Sequence, residues 1–233
     1  MLTIRKSEDR GVANFGWLHS RHTFSFGNYY DPGHMGYGPL RVINEDRVEP
    51  GQGFGTHGHR DMEIISWVLE GALEHKDSMG TGAVIRPGEI QRMTAGTGVT
   101  HSEFNASRSE RVHFLQIWII PDKTGYAPGY EQHAFTPEEL ENRWTLVASN
   151  NPSGKAVKIH QDANLYITRL FAGQELTHVT QTARKLWLHV ARGDVTLGGN
   201  PLGTGDGAAI SGVDKVTVRA DRDAEVLLFD MAA

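Results

Sequence analysis

Gly51-Gln52-Gly53-Phe54-Gly55-Thr56-His57-Gly58-His59-Arg60-Asp61-Met62-Glu63 opens the stretch that decides how this chain is read. Met93-Thr94-Ala95-Gly96-Thr97-Gly98-Val99-Thr100-His101-Ser102-Glu103-Phe104-Asn105 closes it. In a β-strand, residues i and i+2 project from one face. His57 and His59 therefore point the same way, and so do His101 and Glu103. Two such pairs on facing strands would place three imidazole nitrogens and one carboxylate around a point. That donor set suits a divalent first-row metal such as iron, manganese, nickel, copper or zinc.

Working outward, His57, His59, Asp61, Glu63, Ile65, Trp67 and Leu69 share one parity. Without a bulge, these ligands and apolar residues line one inner face. Glu63 is then a second carboxylate within reach, either as a ligand or as an acceptor that orients an imidazole N–H. Gly71 ends the run, and Ala72–Asp77 is expected to return as its hairpin partner. Val112–Ile120 is nearly continuous apolar sequence, as in a strand buried on both faces. Short runs of this kind, separated by many of the 27 glycines, continue to the C-terminus. They are the punctuation of an all-β chain. The single helix signal is Thr136-Pro137-Glu138-Glu139, with a threonine N-cap, proline at N1 and glutamate at N3; Asn142 is its expected end.

The later half echoes the earlier one. Gly173-Gln174-Glu175-Leu176-Thr177-His178-Val179-Thr180 resembles the segment from Gly51 to His59, and Trp187–Gly193 resembles Ile65–Gly71. Thr180 stands where a second histidine would fall, and the glycine turn Gly205–Ile210 has no histidine. The expected organisation is residues 1–135 with the metal site, a linker with a short helix over 136–150, and a degenerate repeat without metal over 151–233.

A length of 233 residues accommodates either one large β domain or two small ones. The net charge of -5 gives no reason for non-specific binding to nucleic acid or anionic membrane. No cysteine is present, which excludes disulfides, thiolate metal sites and a cysteine nucleophile. No apolar run has the length of a membrane span, and the first residues have no apolar signal core. The expected setting is cytoplasmic.

Gly51, His57-x-His59 and Glu63 resemble the first motif of the cupin superfamily, and Gly98-x-x-His101-x-x-x-Asn105 resembles part of the second. The spacing from Glu63 to Gly71 is one residue longer than usual, and the proline expected near Gly96 is absent. Together with Met93–Gly98, His101-Ser102-Glu103, His22-Thr23-Phe24-Ser25-Phe26 and Tyr29-Tyr30-Asp31-Pro32, the chain resembles a pirin along essentially its whole length. The resemblance implies an all-β bicupin of two antiparallel, jelly-roll-like β-barrels. It implies one metal site formed by His57, His59, His101 and Glu103. Iron(II) is the favoured ion there, with zinc, cobalt, nickel, manganese or copper as alternatives. It also implies quercetin 2,3-dioxygenase activity on a small planar aromatic substrate with O2, Glu103 acting as the base. Glu63 is then an outer partner of an imidazole or a polar neighbour.

Two rival readings stand beside this one. One is a metal-containing regulatory pirin with a protein partner; the other is a cupin enzyme acting elsewhere, for instance an isomerase or hydrolase. No nucleic-acid signature supports direct DNA binding. His22 and His113 lie in strands that could approach the site. His75, between Glu74 and Lys76, reads as a solvated hairpin residue. His19, His34, His133, His160 and His189 have no partner at i+2, and His178 reads as a relic of a ligand. Phe54, Trp67, Phe104, Phe114 and Trp118 are candidates for core or for flat walls around an aromatic ligand.

Overall fold

A computed structural model describes residues 1–233. The chain forms two compact units. One comprises Gly11–Ala134 with Val157–Gln161; the other comprises Met1–Arg10, Phe135–Ala156 and Asp162–Ala233. The cuts expected at residues 135 and 150 therefore need amendment at two places. The first strand, Leu2–Arg5, pairs with Gly207–Ser211 and belongs to the second unit. Five residues beyond the short helix, Val157–Gln161, belong to the first.

In the first unit a seven-stranded antiparallel sheet runs in the order Gly129–Ala134, Glu89–Thr94, Glu63–Glu70, Val112–Ile119, Leu40–Val48, Leu18–His22, Gly11–Asn14. A four-stranded sheet runs Gly53–His59, Val99–Asn105, Leu73–Asp77, Gly82–Ile85. The inner faces of the two sheets bury a core of Leu18, Val48, Val68, Leu73, Ile85, Val112 and Phe114. Ile64, Met93, Ala95 and Val99 form a second cluster. This burial of apolar surface from both faces is what drives such a sandwich together. Leu73–Asp77 does not pair with Glu63–Glu70, as the hairpin expectation had it. It crosses to the four-stranded sheet, where its neighbours are Val99–Asn105 and Gly82–Ile85.

The second unit repeats the plan. Leu2–Arg5, Gly207–Ser211, Lys185–Arg192, Ala224–Met231, Ala163–Leu170 and Thr145–Ser149 are neighbours in that order in one sheet. Glu175–Val179, Lys215–Ala220, Asp194–Leu197 and Asn200–Gly203 form the other. Leu186, Leu188, Val190, Val218, Val226 and Leu228 anchor its core. Gly71 and Gly193 occupy the same turn in the two units, at φ of 75° and 79°. A Cβ would come within 2.6 Å of the Arg111 carbonyl at Gly71, and within 2.1 Å of the Asp223 carbonyl at Gly193. Only glycine satisfies both the conformation and the space. The helix Pro137–Leu140 has its capping box, with the Thr136 N–H donating to Glu139 at 2.7 Å. Asn142, at φ 49°, follows its end.

The repeat places His178 on the strand equivalent to Gly53–His59, but its surroundings differ. In the first unit His101 lies opposite His57; in the second, Val216 lies opposite His178. His178 Nε2 donates to Asp230 at 2.8 Å, and Thr180 Oγ1 donates to the same carboxylate at 2.9 Å. Arg184 bonds it as well. Burial disfavours the Asp230 charge, but the bonds from His178, Arg184 and Thr180 outweigh it and hold the carboxyl below its usual range. A depressed folded-state value means that the charge stabilises the fold above the unfolded value and that this contribution fades as pH falls towards the folded value. Asp230→Asn is therefore expected to cost ~1–3 kcal/mol at pH 7, the scale of hydrogen bonds left poorly matched. The deficit should shrink towards pH 3, as read by urea unfolding of both proteins; a deficit that grows on acidification would refute the assignment.

Candidate metal centre

The central strand of the four-stranded sheet, Val99–Asn105, sets the site. Its His101 lies opposite His57 on one neighbour and opposite Asp77 on the other; its Glu103 lies opposite His75. Directly paired residues of an antiparallel ladder share a face. His57, His59, His75, Asp77, His101 and Glu103 thus converge on one inner surface. Between the His101 and Glu103 pairings, the register with Gly53–His59 slips: His57 pairs with His101, but Phe54 pairs with Glu103. The extra residue makes a bulge at Gly55–Thr56, a device that re-aims side chains beside sites.

Three imidazole nitrogens meet. His59 Nε2 is 3.0 Å and His57 Nε2 is 3.1 Å from His101 Nε2. The three groups form a set whose ligand atoms all lie within 4.8 Å of one another. Glu103 Oε2 stands 4.0 Å from His101 Nε2. The His57 Nδ1–H donates to the Gly55 carbonyl at 2.8 Å. A carbonyl only accepts, so the proton is on Nδ1 and Nε2 presents its lone pair to the cluster. Burial and then the neighbouring His57 hold His59 down to about 4. Burial, with His57, His59 and His75, holds His101 down to about 2. Both rings are therefore neutral near pH 7, the form in which imidazole ligates metal. Crowded neutral nitrogens, one with its lone pair fixed inward, are what a divalent ion needs from its donors.

Glu103 is buried, and that burial lifts its carboxyl above the usual range. Gln116 Nε2 donates to its Oε2 at 2.8 Å, and Ser66 Oγ lies 3.4 Å from its Oε1. Ser66 and Gln116 also touch each other at 3.1 Å.

These contacts reverse one sequence expectation. Ser66, with Ile64 and Val68, faces the cavity side, so Glu63, Ile65 and Trp67 face the other way. The parity count from His59 to Glu63 does not survive the turn between them, where Asp61 adopts φ 49°. Glu63 touches no clustered histidine. It accepts from His160 Nδ1 at 2.9 Å and from Thr94 Oγ1 at 2.9 Å, fully buried. His160 is therefore partnered, and it stacks on Tyr126 with ring centroids 3.8 Å apart. His75 is not a solvated residue: it is fully buried, 3.4 Å from His101 and 3.0 Å from Asp77. The strand alternation puts Glu74 and Lys76 outside and His75 inside.

A cavity of about 400 Å³ opens onto His57, His59 and Glu103. His22 lines it and bonds Asn44 at 2.8 Å, clear of the histidine cluster. His113 lies on the opposite face of its strand from Gln116 and Trp118 and bonds Glu45 at 3.0 Å. Of the five aromatic candidates, Phe54 and Trp118 line the cavity, joined by Phe26. Trp118 meets His59 edge-on at 5.0 Å and Phe26 edge-on at 5.2 Å. Trp67 and Phe114 are core, and Phe104 is partly exposed.

The arrangement agrees with known proteins. The family described as Pirin matches residues 4–119, and the one described as Quercetinase C-terminal cupin domain matches residues 146–231. The quercetin 2,3-dioxygenase of Escherichia coli strain K12 is 48% identical over 231 residues, covering 99% of both chains. The crystal structure of the bacterial pirin YhhW in complex with nickel(II), from Escherichia coli, superposes with a TM-score of 0.95 at 47% identity, over 100% of this chain and 99% of that one. A quercetin 2,3-dioxygenase structure from Acinetobacter baumannii shares the fold, with a TM-score of 0.78 at 21% identity over 95% of this chain and 83% of that one. Two cupin units, one with a converging histidine cluster, and this identity along the full length lead to one conclusion: the chain belongs to the pirin family.

Proposed function

We propose that this pirin is a metal-dependent dioxygenase that cleaves flavonols such as quercetin, and that His57, His59, His101 and Glu103 hold its divalent ion. The observation that carries the reading is the convergence of three Nε2 atoms beside a buried carboxylate at the end of an aromatic-walled cavity. The naming of a 48% identical relative as a quercetin 2,3-dioxygenase supports it, as does the nickel(II) complex of YhhW. Iron(II) is our choice of native ion. Three imidazoles and a carboxylate also accept nickel, zinc, cobalt, manganese or copper, so availability decides among them. The lack of cysteine accords with a reducing cytoplasmic setting.

A divalent ion bound there supplies a positive charge that lowers the pKa of a hydroxyl next to it. The chain does the rest. Phe26, Phe54 and Trp118 give flat apolar walls for a planar ring system. Glu103 takes the proton of the substrate's 3-hydroxyl, and Gln116 holds its orientation. Dioxygen adds at C2 and C4 of the deprotonated flavonol, the two ring bonds to C3 break, C3 leaves as carbon monoxide, and the proton ends on the carboxyl group of the ring-opened ester. In the second unit, the bond from His178 to Asp230 and the valine opposite it leave no such donor set, and we assign it no ion.

Three expected outcomes test this. Metal-loaded protein given quercetin in air should consume oxygen and release carbon monoxide; no oxygen uptake with any of the six metals would end the dioxygenase reading. His57→Ala and His101→Ala should each lose most bound metal yet stay folded, because each unit has its own apolar core, whereas His178→Ala should keep the metal content of the wild type. Element analysis with circular dichroism reads both, and loss of metal from His178→Ala would overturn the one-site assignment. Glu103→Gln should lower turnover ~10²–10⁴-fold even at saturating metal, the usual contribution of a positioned base. Glu63→Gln, whose partners are His160 and Thr94, should keep turnover near that of the wild type and instead cost ~1–3 kcal/mol of stability. A dead Glu63→Gln beside an active Glu103→Gln would reverse the two roles.

A further inference from the structure

We propose that Asp77 and His75 are positioning residues which fix the tautomer of His101, so that its Nε2 is held bare for the ion. The proposal rests on the reading of His101 as a ligand. Asp77 is the anchor. Its Oδ1 accepts the backbone N–H of Met79 at 2.9 Å and of Thr81 at 3.0 Å, so the carboxylate is fixed by the turn that follows its strand. Its Oδ2 meets His75 Nε2 at 3.0 Å. Both side chains are fully buried. Although burial opposes it, the Asp77 charge is favoured by the bonds from His75, Thr81 and Met79, which hold the carboxyl below its usual range.

The protons along this chain can be assigned by elimination. An ionised carboxylate only accepts, so His75 Nε2 carries a hydrogen. We take His75 as the imidazole with that one N–H, which leaves its Nδ1 as an acceptor. It faces His101 Nδ1 at 3.4 Å, which must be the donor. With its hydrogen on Nδ1, His101 presents a bare lone pair at Nε2, the atom 3.0 Å from His59 Nε2 and 3.1 Å from His57 Nε2. The Tyr130 ring, 5.0 Å from the His75 ring, packs against it and restricts its rotation. His57 reaches the same state through a single backbone carbonyl, Gly55. His101 lies inside the sheet on the central strand; side chains two strand positions apart on the neighbouring strand do the same work. Outer partners of this kind raise ligand basicity, fix ring orientation and change metal affinity ~10–100-fold.

Three substitutions separate this role from packing. Asp77→Asn keeps an oxygen for the Met79 and Thr81 amides but turns an NH2 towards His75. That favours the His75 tautomer with hydrogen on Nδ1 and forces the His101 hydrogen onto Nε2, the ligating atom. His75→Phe keeps a ring but offers no acceptor. His75→Asn is smaller, yet it can place an oxygen where Nδ1 was. Affinity is measured by competition of nickel(II) with a chromogenic chelator on the full chain, with thermal unfolding of each variant alongside. Asp77→Asn and His75→Phe should bind ~10–100-fold more weakly. His75→Asn should recover most of that loss. Wild-type affinity in both of the first two, or equal weakness in all three, would overturn the proposal.

Nitrogen-15 imidazole spectra of the chelator-stripped wild type give a second readout that needs neither metal nor flavonol. Hydrogen on His101 Nδ1 and on His75 Nε2 is expected; hydrogen on His101 Nε2 would contradict it. X-ray absorption of the nickel-loaded His75→Asn protein must still count three imidazoles. A count of two would make His75 a ligand rather than a positioning residue. If quercetin is not a substrate, these results are unaffected, so failure of the dioxygenase reading and failure of the relay are told apart.

Discussion

Everything functional in this protein depends on one pairing in one ladder: His101 opposite His57. Antiparallel pairing brings two residues' side chains onto the same face within about 5 Å. The i+2 rule then delivers His59 and Glu103 to that same face. The Nε2 atoms of His59 and His57 lie 3.0 and 3.1 Å from that of His101, and nitrogens this close repel one another when their lone pairs point inward and nothing positive lies between them. The cost of holding them there is met by the backbone ladder, in which the central strand Val99–Asn105 is paired on both sides, and by the apolar core packed on the sheet's inner face. The bulge at Gly55–Thr56 adjusts the aim of His57 and lets Phe54 reach the cavity wall.

The second unit is a natural control on that argument. It has the same order of strands, the same positive-φ glycine after the equivalent strand, and a histidine at the equivalent place. It has valine where the first unit has His101. With no facing nitrogen, His178 turns its Nε2 to Asp230, which also gathers Thr180 and Arg184. A position suited to a ligand has become part of a buried ionic network. Thr180 in place of a second histidine and Val216 in place of His101 separate the two outcomes; the fold alone does not.

Much of this was legible in the sequence, because alternation with period two is a short-range rule. His57-x-His59 and His101-x-Glu103 needed only that rule to be placed together. The same rule misplaces Glu63, because at Arg60–Met62 the chain leaves the strand and Asp61 takes a left-handed conformation. His75-x-Asp77 has the spacing of the other two pairs, but the charged neighbours Glu74 and Lys76 suggested a solvated turn. They occupy the outer face of the strand, and their charge says nothing about the inner one. The partner of Glu63, His160, is 97 residues away, and no local pattern could have supplied it. The placement of Leu2–Arg5 in the second unit was hidden for the same reason, since strand pairing at that separation leaves no mark on either segment.

The central claim is that one divalent ion sits among His57, His59, His101 and Glu103. Anomalous diffraction at the absorption edge of the bound metal, on crystals of the purified full chain, tests it most directly. The account expects one peak in the first unit, ~2.0–2.1 Å from the Nε2 atoms of the three histidines and ~2.0–2.2 Å from a Glu103 oxygen. His75, His101 and Glu103 form a second, overlapping group of possible ligands. A peak centred on that group, or one beside His178, would contradict the account.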